Sequence, residues 1–128
     1  MLTLVDSEVS RVTHHGDDWV ISFSAASCTH TTHTSKGAQT LSGYVLAVEL
    51  LCSHCEVREH GEACFGRISK GRLIAEGVAL RGLPVQQILN GSLVLEVEFA
   101  NGSDLELSAQ SIQWRTTGAT RFMESLAC

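Results

Sequence analysis

The chain has 128 residues, of which 44% are hydrophobic and 18% are charged, and its formal net charge is −5. The length fits one β-rich domain over residues 1–128, and the hydrophobic content excludes a disordered chain, which needs low hydrophobicity and high net charge. The nine Lys and Arg residues are scattered. Nucleic-acid binding is therefore disfavoured, since nucleic-acid binders carry a basic patch.

The first residues of the chain, its most apolar stretch, its cysteine count and its low charged fraction bear on localisation and assembly. Residues 1–6 lack the basic region of a signal peptide, and the most apolar stretch, 44–52, is too short for a membrane helix. An odd number of cysteines, five, predicts reduced thiols rather than a disulfide framework. We therefore expect a cytoplasmic protein without membrane contact. The charged fraction lies below the roughly 25% of an average domain, which favours a homo-oligomer, a dimer in the simplest case.

Alternation of apolar and polar side chains with a period of two is the main structural signal, and it is typical of strands with one buried face. Glycine-containing turns separate the alternating segments, which favours an all-β, mainly antiparallel fold, either a β-barrel or a β-sandwich. The predicted strands are 9–14, 19–24, 43–58, 65–69, 72–80, 93–99, 104–109, 112–115 and 121–126.

The clearest predicted hairpin covers residues 93–109. A two-residue turn would place Val97 opposite Glu106, an apolar side chain against a charged one. A three-residue loop at 101–103 places Val97 opposite Leu107 instead. Because a slip of one residue turns every side chain to the other face, we predict the three-residue loop.

One segment departs from the strand pattern. Residues 84–89 begin with Pro84 and are followed by Asn90 and Gly91. Proline at the first helical position and glycine just after the last are typical of a helix. We predict one short helix or 3₁₀ turn at 84–89.

A cluster of metal-ligand residue types follows the third predicted strand: Cys52, Cys55, His60 and Cys64. Their spacing, C-x2-C-x4-H-x3-C, resembles the C-x2-C-x4-H-x4-C pattern of retroviral-type zinc knuckles and is one residue shorter. Zinc is bound tetrahedrally by four nitrogen or sulfur ligands. These four residues are therefore the first candidate metal site, with zinc as its ion; no other cofactor is expected.

The same cluster allows two further interpretations. An uninterrupted strand would point Cys52 and Cys55 to opposite faces, so a shared ion requires a bulge at residues 53–54. Without that bulge, Cys52 packs as a small hydrophobic residue and His60 lies on the surface. A redox dithiol is the third alternative; it needs a helix N-terminus to lower a thiol pKa, and the sequence predicts no helix there.

A second group of imidazoles contains His30 and His33, with further histidines upstream at His14 and His15. Imidazole is the commonest metal ligand in proteins, so His30 and His33 are a second candidate metal site. The surrounding Ser, Thr and Gly residues favour the simpler interpretation, solvated histidines in a loop between strands.

No familiar catalytic motif occurs in the sequence, neither G-x-S-x-G, nor a glycine-rich phosphate loop, nor H-E-x-x-H. No catalytic residue is predicted, and a non-enzymatic function is favoured. The first hypothesis is a cytoplasmic interaction or regulatory module that acts as a homo-oligomer and binds a protein partner. The alternatives are a metal- or small-ligand-binding β-barrel and a small enzyme with an unrecognised cleft.

Overall fold

A computed structural model describes residues 1–80, 82–83 and 88–122. None of these residues belongs to a helix long and apolar enough to cross a membrane. The regular structure among them consists of eight strands: β1 (Leu2–His15), β2 (Asp18–Thr34), β3 (Gly37–Ser53), β4 (Glu56–His60), β5 (Gly66–Ala75), β6 (Val78–Leu80), β7 (Ile88–Phe99) and β8 (Asp104–Phe122).

Six of the strands form a closed antiparallel barrel in the order β1-β2-β3-β8-β7-β5. The barrel closes where β5 returns to β1, through the pairs Glu8–Arg67 and Val9–Gly66. Outside this ring, β6 forms a hairpin with β5, and β4 pairs with the first part of β8. The predicted all-β antiparallel fold is confirmed, and of the two predicted architectures it is the barrel.

The alternating apolar side chains fill the barrel interior. Trp19, Ile21 and Phe23 of β2 are buried, as their alternation predicts. On β7 and β8 the buried side chains are Leu93, Leu95, Val97, Phe99, Leu105, Leu107 and Ala109. Each fully buried aliphatic or aromatic side chain contributes about 1.5–3 kcal/mol relative to exposure, as an upper estimate, so this shared interior holds the barrel together.

The β7–β8 hairpin has the predicted faces and a different register. Val97 lies opposite Leu105, not Leu107, and the loop is formed by residues 100–102. The predicted pairing is therefore wrong by two residues. A shift of two residues keeps every side chain on its face, which is why the burial pattern alone did not exclude it.

Contacts outside the hairpin account for this register. The Asn101 side chain donates to the backbone carbonyls of Ala63 (2.8 Å) and Phe65 (3.2 Å). It also accepts a hydrogen bond from the Ser103 backbone N–H at 3.0 Å. These bonds hold Asn101 inside the loop, next to a segment that is distant in sequence.

The strands predicted at 65–69 and 72–80 imply a hairpin over Lys70 and Gly71, and this hairpin is wrong, because β5 runs straight through both residues. The turn lies later, at Glu76 and Gly77. Gly71 serves packing: a Cβ there would lie 2.9 Å from the Cβ of Leu4. The glycine therefore marks a close approach of two strands rather than a turn.

The predicted helix at 84–89 lies mostly outside the described residues, which omit 84–87. Its described end, Ile88 and Leu89, belongs to β7, so this part of the prediction is wrong. Gly91 has a φ of +127° and lies where the pairing with β8 shifts. It marks a bulge inside a strand, a role for which glycine is equally suited.

At the end of the described chain, the strand predicted at 112–115 and the start of the one predicted at 121–126 are parts of the single strand β8. Residues 123–126 lie outside the described residues.

Candidate functional site

The predicted long strand at 43–58 is interrupted at His54 and Cys55. Ser53, the last residue of β3, lies opposite Ser111, and Glu56, the first residue of β4, lies opposite Ser108. His54 has a φ of +53°, in the left-handed region that non-glycine residues rarely adopt. A bulge at residues 53–54 is not what brings the two cysteines together, because the register with β8 is the same on both sides of the interruption. The left-handed His54 breaks the alternation between Cys52 and Cys55 instead.

The interruption is fastened to the turn between β1 and β2. The backbone N–H of Cys55 donates to the carbonyl of Asp17 at 2.8 Å. The N–H of His54 donates to the Asp18 carboxylate at 3.3 Å. The Cys52-to-Cys55 segment, which we call the dithiol turn, is therefore held by hydrogen bonds from a distant hairpin.

The dithiol turn brings two thiols together. Cys52 is fully buried in the barrel interior, whereas Cys55 is partly exposed. Each of the two thiols affects the pKa of the other more strongly than any other group does. Both are free thiols, as is Cys64. Cys28 is disulfide-bonded, which departs from the expectation of reduced cysteines throughout.

The environment moves the pKa values of the two thiols in opposite directions. The hydrogen bond from Cys52, aided by the backbone N–H of Trp19, lowers the pKa of Cys55, against burial and the charges of Asp18 and Asp17. The same hydrogen bond, burial and the charge on Cys55 raise the pKa of Cys52. Cys55 is therefore the thiol that ionises first.

The other two residues of the predicted zinc cluster make different contacts. The Cys64 thiol donates to the carbonyl of Gly61 at 3.4 Å, and burial raises its pKa. The His60 ring meets Trp19 edge to face, with 5.1 Å between the ring centroids. His14 also stacks on Trp19, at 4.6 Å.

Two sulfur ligands are fewer than the four donors of a structural zinc site. In the part of the chain that the structure describes, no three His, Cys, Asp or Glu residues are grouped to hold a metal ion. The zinc site at Cys52, Cys55, His60 and Cys64 stays a prediction, and only its first two members are brought together.

His30 and His33 lie on β2 rather than in a loop, opposite Leu41 and Ala38 of β3. The His33 side chain is exposed. On β2, too, the described residues form no group of three His, Cys, Asp or Glu that could hold a metal ion, so the second candidate metal site also stays a prediction.

These histidines belong to a two-stranded extension of the sheet, residues 29–42, which we call the ribbon. The side chains that the structure describes between residues 31 and 40 are all exposed. The pairing of β1 with β2 ends near Cys28, and the pairing of β8 with β3 begins at Val45. Among the described residues, therefore, no third strand flanks the ribbon.

The outer edge of β2 in the ribbon is regular. Thr29 bonds Met1 through its backbone N–H, so the backbone groups of Thr29 face away from β3. The pairing of β2 with β3 has no register shift up to Thr34. In such an antiparallel pair, the backbone N–H and C=O groups of successive residues point alternately toward the partner strand and away from it. The N–H and C=O groups of Thr31 and His33 therefore face outward as well.

The barrel interior also contains a small cavity. Its volume is about 20 Å³, and it is lined mainly by Leu2, Leu4, Leu50, Leu73 and Trp114. Room of this size fits about one water molecule. It offers no support for small-ligand binding at this point of the barrel, and that alternative stays a prediction.

Comparisons of the chain with protein-family models, with curated proteins and with solved structures find no match. The arguments about function therefore rest on the geometry of the dithiol turn and the ribbon.

Proposed function

We propose that the protein is a non-enzymatic interaction module that acts as a homodimer, in which the outer edge of β2 in the ribbon pairs with the same edge of a second copy. The observation that carries this proposal is the regular, exposed strand edge of residues 31–34, which begins after the bond between Thr29 and Met1. Strand edges of this kind are templates for pairing with another chain.

The composition of the ribbon supports the proposal. Proteins protect exposed edges with charged side chains, prolines or bulges. Residues 29–42 contain no Asp, Glu, Arg or Pro, and their one lysine, Lys36, lies at the turn. The pairing between β2 and β3 also has no bulge there. An isolated two-stranded ribbon is marginally stable in water, so added strands would stabilise it.

A second copy is the occupant that fits this edge. Two identical edges can pair antiparallel about a twofold axis, and each then satisfies the outward N–H and C=O groups of the other. Residues 29–34 contain no Asp, Glu, Lys or Arg, so no carboxylate, ammonium or guanidinium groups face one another when the edge pairs with its own copy. The low charged fraction of the whole chain, 18%, is consistent with self-association.

The test uses two proline variants at directly opposite positions of the ribbon, Thr31 and Thr40. Proline removes one backbone N–H. Thr31→Pro removes an N–H from the outer edge of β2, whereas Thr40→Pro removes one from the opposite edge of the ribbon and leaves the β2 edge intact. Neither removes a backbone hydrogen bond between β2 and β3, because in an antiparallel pair opposite residues share the same orientation. Each removes the same side-chain hydrogen bond, the one between the hydroxyls of Thr31 and Thr40 at 3.3 Å, so the two variants remain matched.

Light scattering and native mass spectrometry at micromolar concentration give the readout. We expect wild type and Thr40→Pro to be dimers and Thr31→Pro to be a monomer with an unchanged circular dichroism spectrum. A monomeric wild type would overturn the proposal. Dissociation by Thr40→Pro alone would place the interface on the other edge and would also overturn it.

We also propose the cytoplasm as the compartment. The three free thiols support this assignment, since the cytoplasm keeps thiols reduced, while the disulfide-bonded Cys28 weighs against it. Fractionation of cells that express the tagged protein from its own start codon tests the assignment. Recovery in an exported fraction would contradict it.

A further inference from the structure

We propose that Cys52 and Cys55 form a reversible dithiol–disulfide pair, with Cys55 as the attacking sulfur, Cys52 as the resolving sulfur and a low-molecular-weight disulfide as the oxidant. This inference is independent of self-association, because the dithiol turn lies at the end of β3 opposite to the ribbon.

The first support is the contact between the two sulfurs. Residues three apart on a regular strand point to opposite faces, and a disulfide between them could not form. The left-handed His54 breaks this alternation and turns Cys55 toward Cys52. The largest influence on the pKa of each thiol is the other thiol, so the two side chains are neighbours before any reaction.

The second support is a difference in access. Cys55 lines an open groove of about 750 Å³, together with Asp17, His54, Glu56 and Arg58. Cys52 is completely buried. A small disulfide can therefore reach Cys55 from the groove, whereas Cys52 can be reached only by Cys55. This difference assigns the order of the two steps.

The thiolate, not the thiol, is the nucleophile in disulfide exchange. Cys55 is the sulfur that lines the groove, so its thiolate is the one that can attack a small disulfide. The helix N-terminus that the sequence leads us to expect for a redox pair is not found here, because Cys55 lies between β3 and β4.

The exchange balances as follows. The Cys55 thiolate attacks one sulfur of the small disulfide, forms a mixed disulfide and releases one small thiolate. That thiolate takes up the proton that Cys55 lost to water. Cys52 then attacks the sulfur of Cys55, the bond between Cys55 and the small thiol breaks, and the proton of Cys52 passes to the departing small thiolate. The two electrons of the dithiol have then reduced one small disulfide to two thiols.

The tryptic peptides of the chain allow this reaction to be followed by mass spectrometry. No Lys or Arg lies between Lys36 and Arg58, so trypsin releases Cys52 and Cys55 together in the peptide 37–58. Cys64 lies in the separate peptide 59–67 and serves as an internal control. The folded protein is treated with hydroxyethyl disulfide in the presence of a metal chelator, quenched with acid, alkylated and digested without reductant.

We expect peptide 37–58 to lose two hydrogens and to carry no alkyl group, while Cys64 stays a thiol. Dithiothreitol should restore both thiols. In Cys52→Ala the mixed disulfide on Cys55 should accumulate, because no resolving sulfur is left. In Cys55→Ala, Cys52 should stay unmodified, and Cys64→Ala should behave like wild type.

Two outcomes would overturn the proposal: a peptide 37–58 that stays fully reduced in wild type while Cys64 is modified, or a Cys55→Ala variant in which Cys52 reacts as fast as Cys55 does in wild type. If Cys52→Ala does not fold, the wild-type peptide and the Cys55→Ala variant still decide the question. A dimer that fails to form in the ribbon experiment leaves these outcomes unchanged.

Discussion

Cys55 and Cys64 lie in one short segment of the chain, yet their surroundings act on their thiols in opposite directions. Hydrogen bonds lower the pKa of Cys55, and burial raises the pKa of Cys64. A thiol reacts with an alkylating agent as its thiolate, so its rate rises with pH through its pKa.

We therefore predict that the pH profile of iodoacetamide labelling differs between the two residues in the native protein. Labelling of Cys55 should reach half its maximum below the ordinary cysteine pKa, and labelling of Cys64 above it. Near neutral pH, Cys55 should react faster by about tenfold or more. Peptide mass spectrometry after brief labelling measures both rates in one sample. Coincident profiles would show that the two thiols share one environment.

At single residues, the sequence predicts which side chains are buried but not which distant residues they bond. The alternation in β2 correctly identifies Trp19, Ile21 and Phe23 as buried. Nothing near Asp17 and Asp18 in the chain indicates that they hold the dithiol turn. The bond from His54 to Asp18 joins residues 36 positions apart. Local patterns show which face a side chain occupies, whereas the partners of a turn come from the assembled barrel.

Strands show the same division between local and distant causes. The period of two fixes the faces of β7 and β8 but allows registers that differ by two residues, and the bonds of Asn101 to the 63–65 segment select one of them. Gly71 and Gly91 resemble turn and helix-end glycines in sequence. In the structure one allows close packing and the other a bulge, because both depend on neighbours that the local sequence does not reveal.

The faces of β7 can be tested with adjacent substitutions. Val97 is 5% exposed, and Val97→Asp would bury an unpaired charge inside the barrel. We expect a loss of about 4 kcal/mol or more in the free energy of unfolding, measured by urea denaturation. Glu96 points outward, where it pairs with the exposed Arg72 at 2.6 Å.

Glu96→Gln is the matched control for this strand. Exposed ion pairs contribute little to stability, so the urea midpoint should stay close to that of wild type. Equal tolerance of the two substitutions would mean that β7 presents its other face to the interior.

Barrel closure is a property of the whole molecule. β1 and β5 are paired through two residue pairs, Glu8–Arg67 and Val9–Gly66, whereas the ladder between β2 and β3 runs from Trp19 to Thr34. The pairing of β1 with β2 also shifts between Thr3 and Val9, next to this seam. The alternation of apolar and polar side chains does not show which two strands close a barrel, so the sequence leaves barrel and sandwich as alternatives.

A short seam should open more easily than a long ladder. We predict that backbone amides of residues 8–9 exchange with solvent faster than those of residues 93–98 in native-state hydrogen exchange. The comparison is made under conditions where exchange is limited by opening, with rates corrected for the intrinsic exchange of each residue. Equal protection in the two segments would mean that the barrel opens only as a whole.

Both proposals also depend on features that the sequence does not show. Cys52 and Cys55 form a C-x2-C pair in the sequence, but their proximity depends on the left-handed backbone of His54, which no local pattern indicates. The open ribbon edge was not anticipated at all, because strand pairing decides which edges remain open.

The position of β8 in the chain has a consequence for synthesis. β8 pairs with β3, β4 and β7, and it follows all three in sequence. A ribosome adds about 5–20 residues per second, so the partner edge of β3 waits on the order of several seconds for β8. During that time the nascent chain exposes apolar strands without their central neighbour. The nascent chain is therefore expected to be most prone to aggregation before β8 leaves the ribosome.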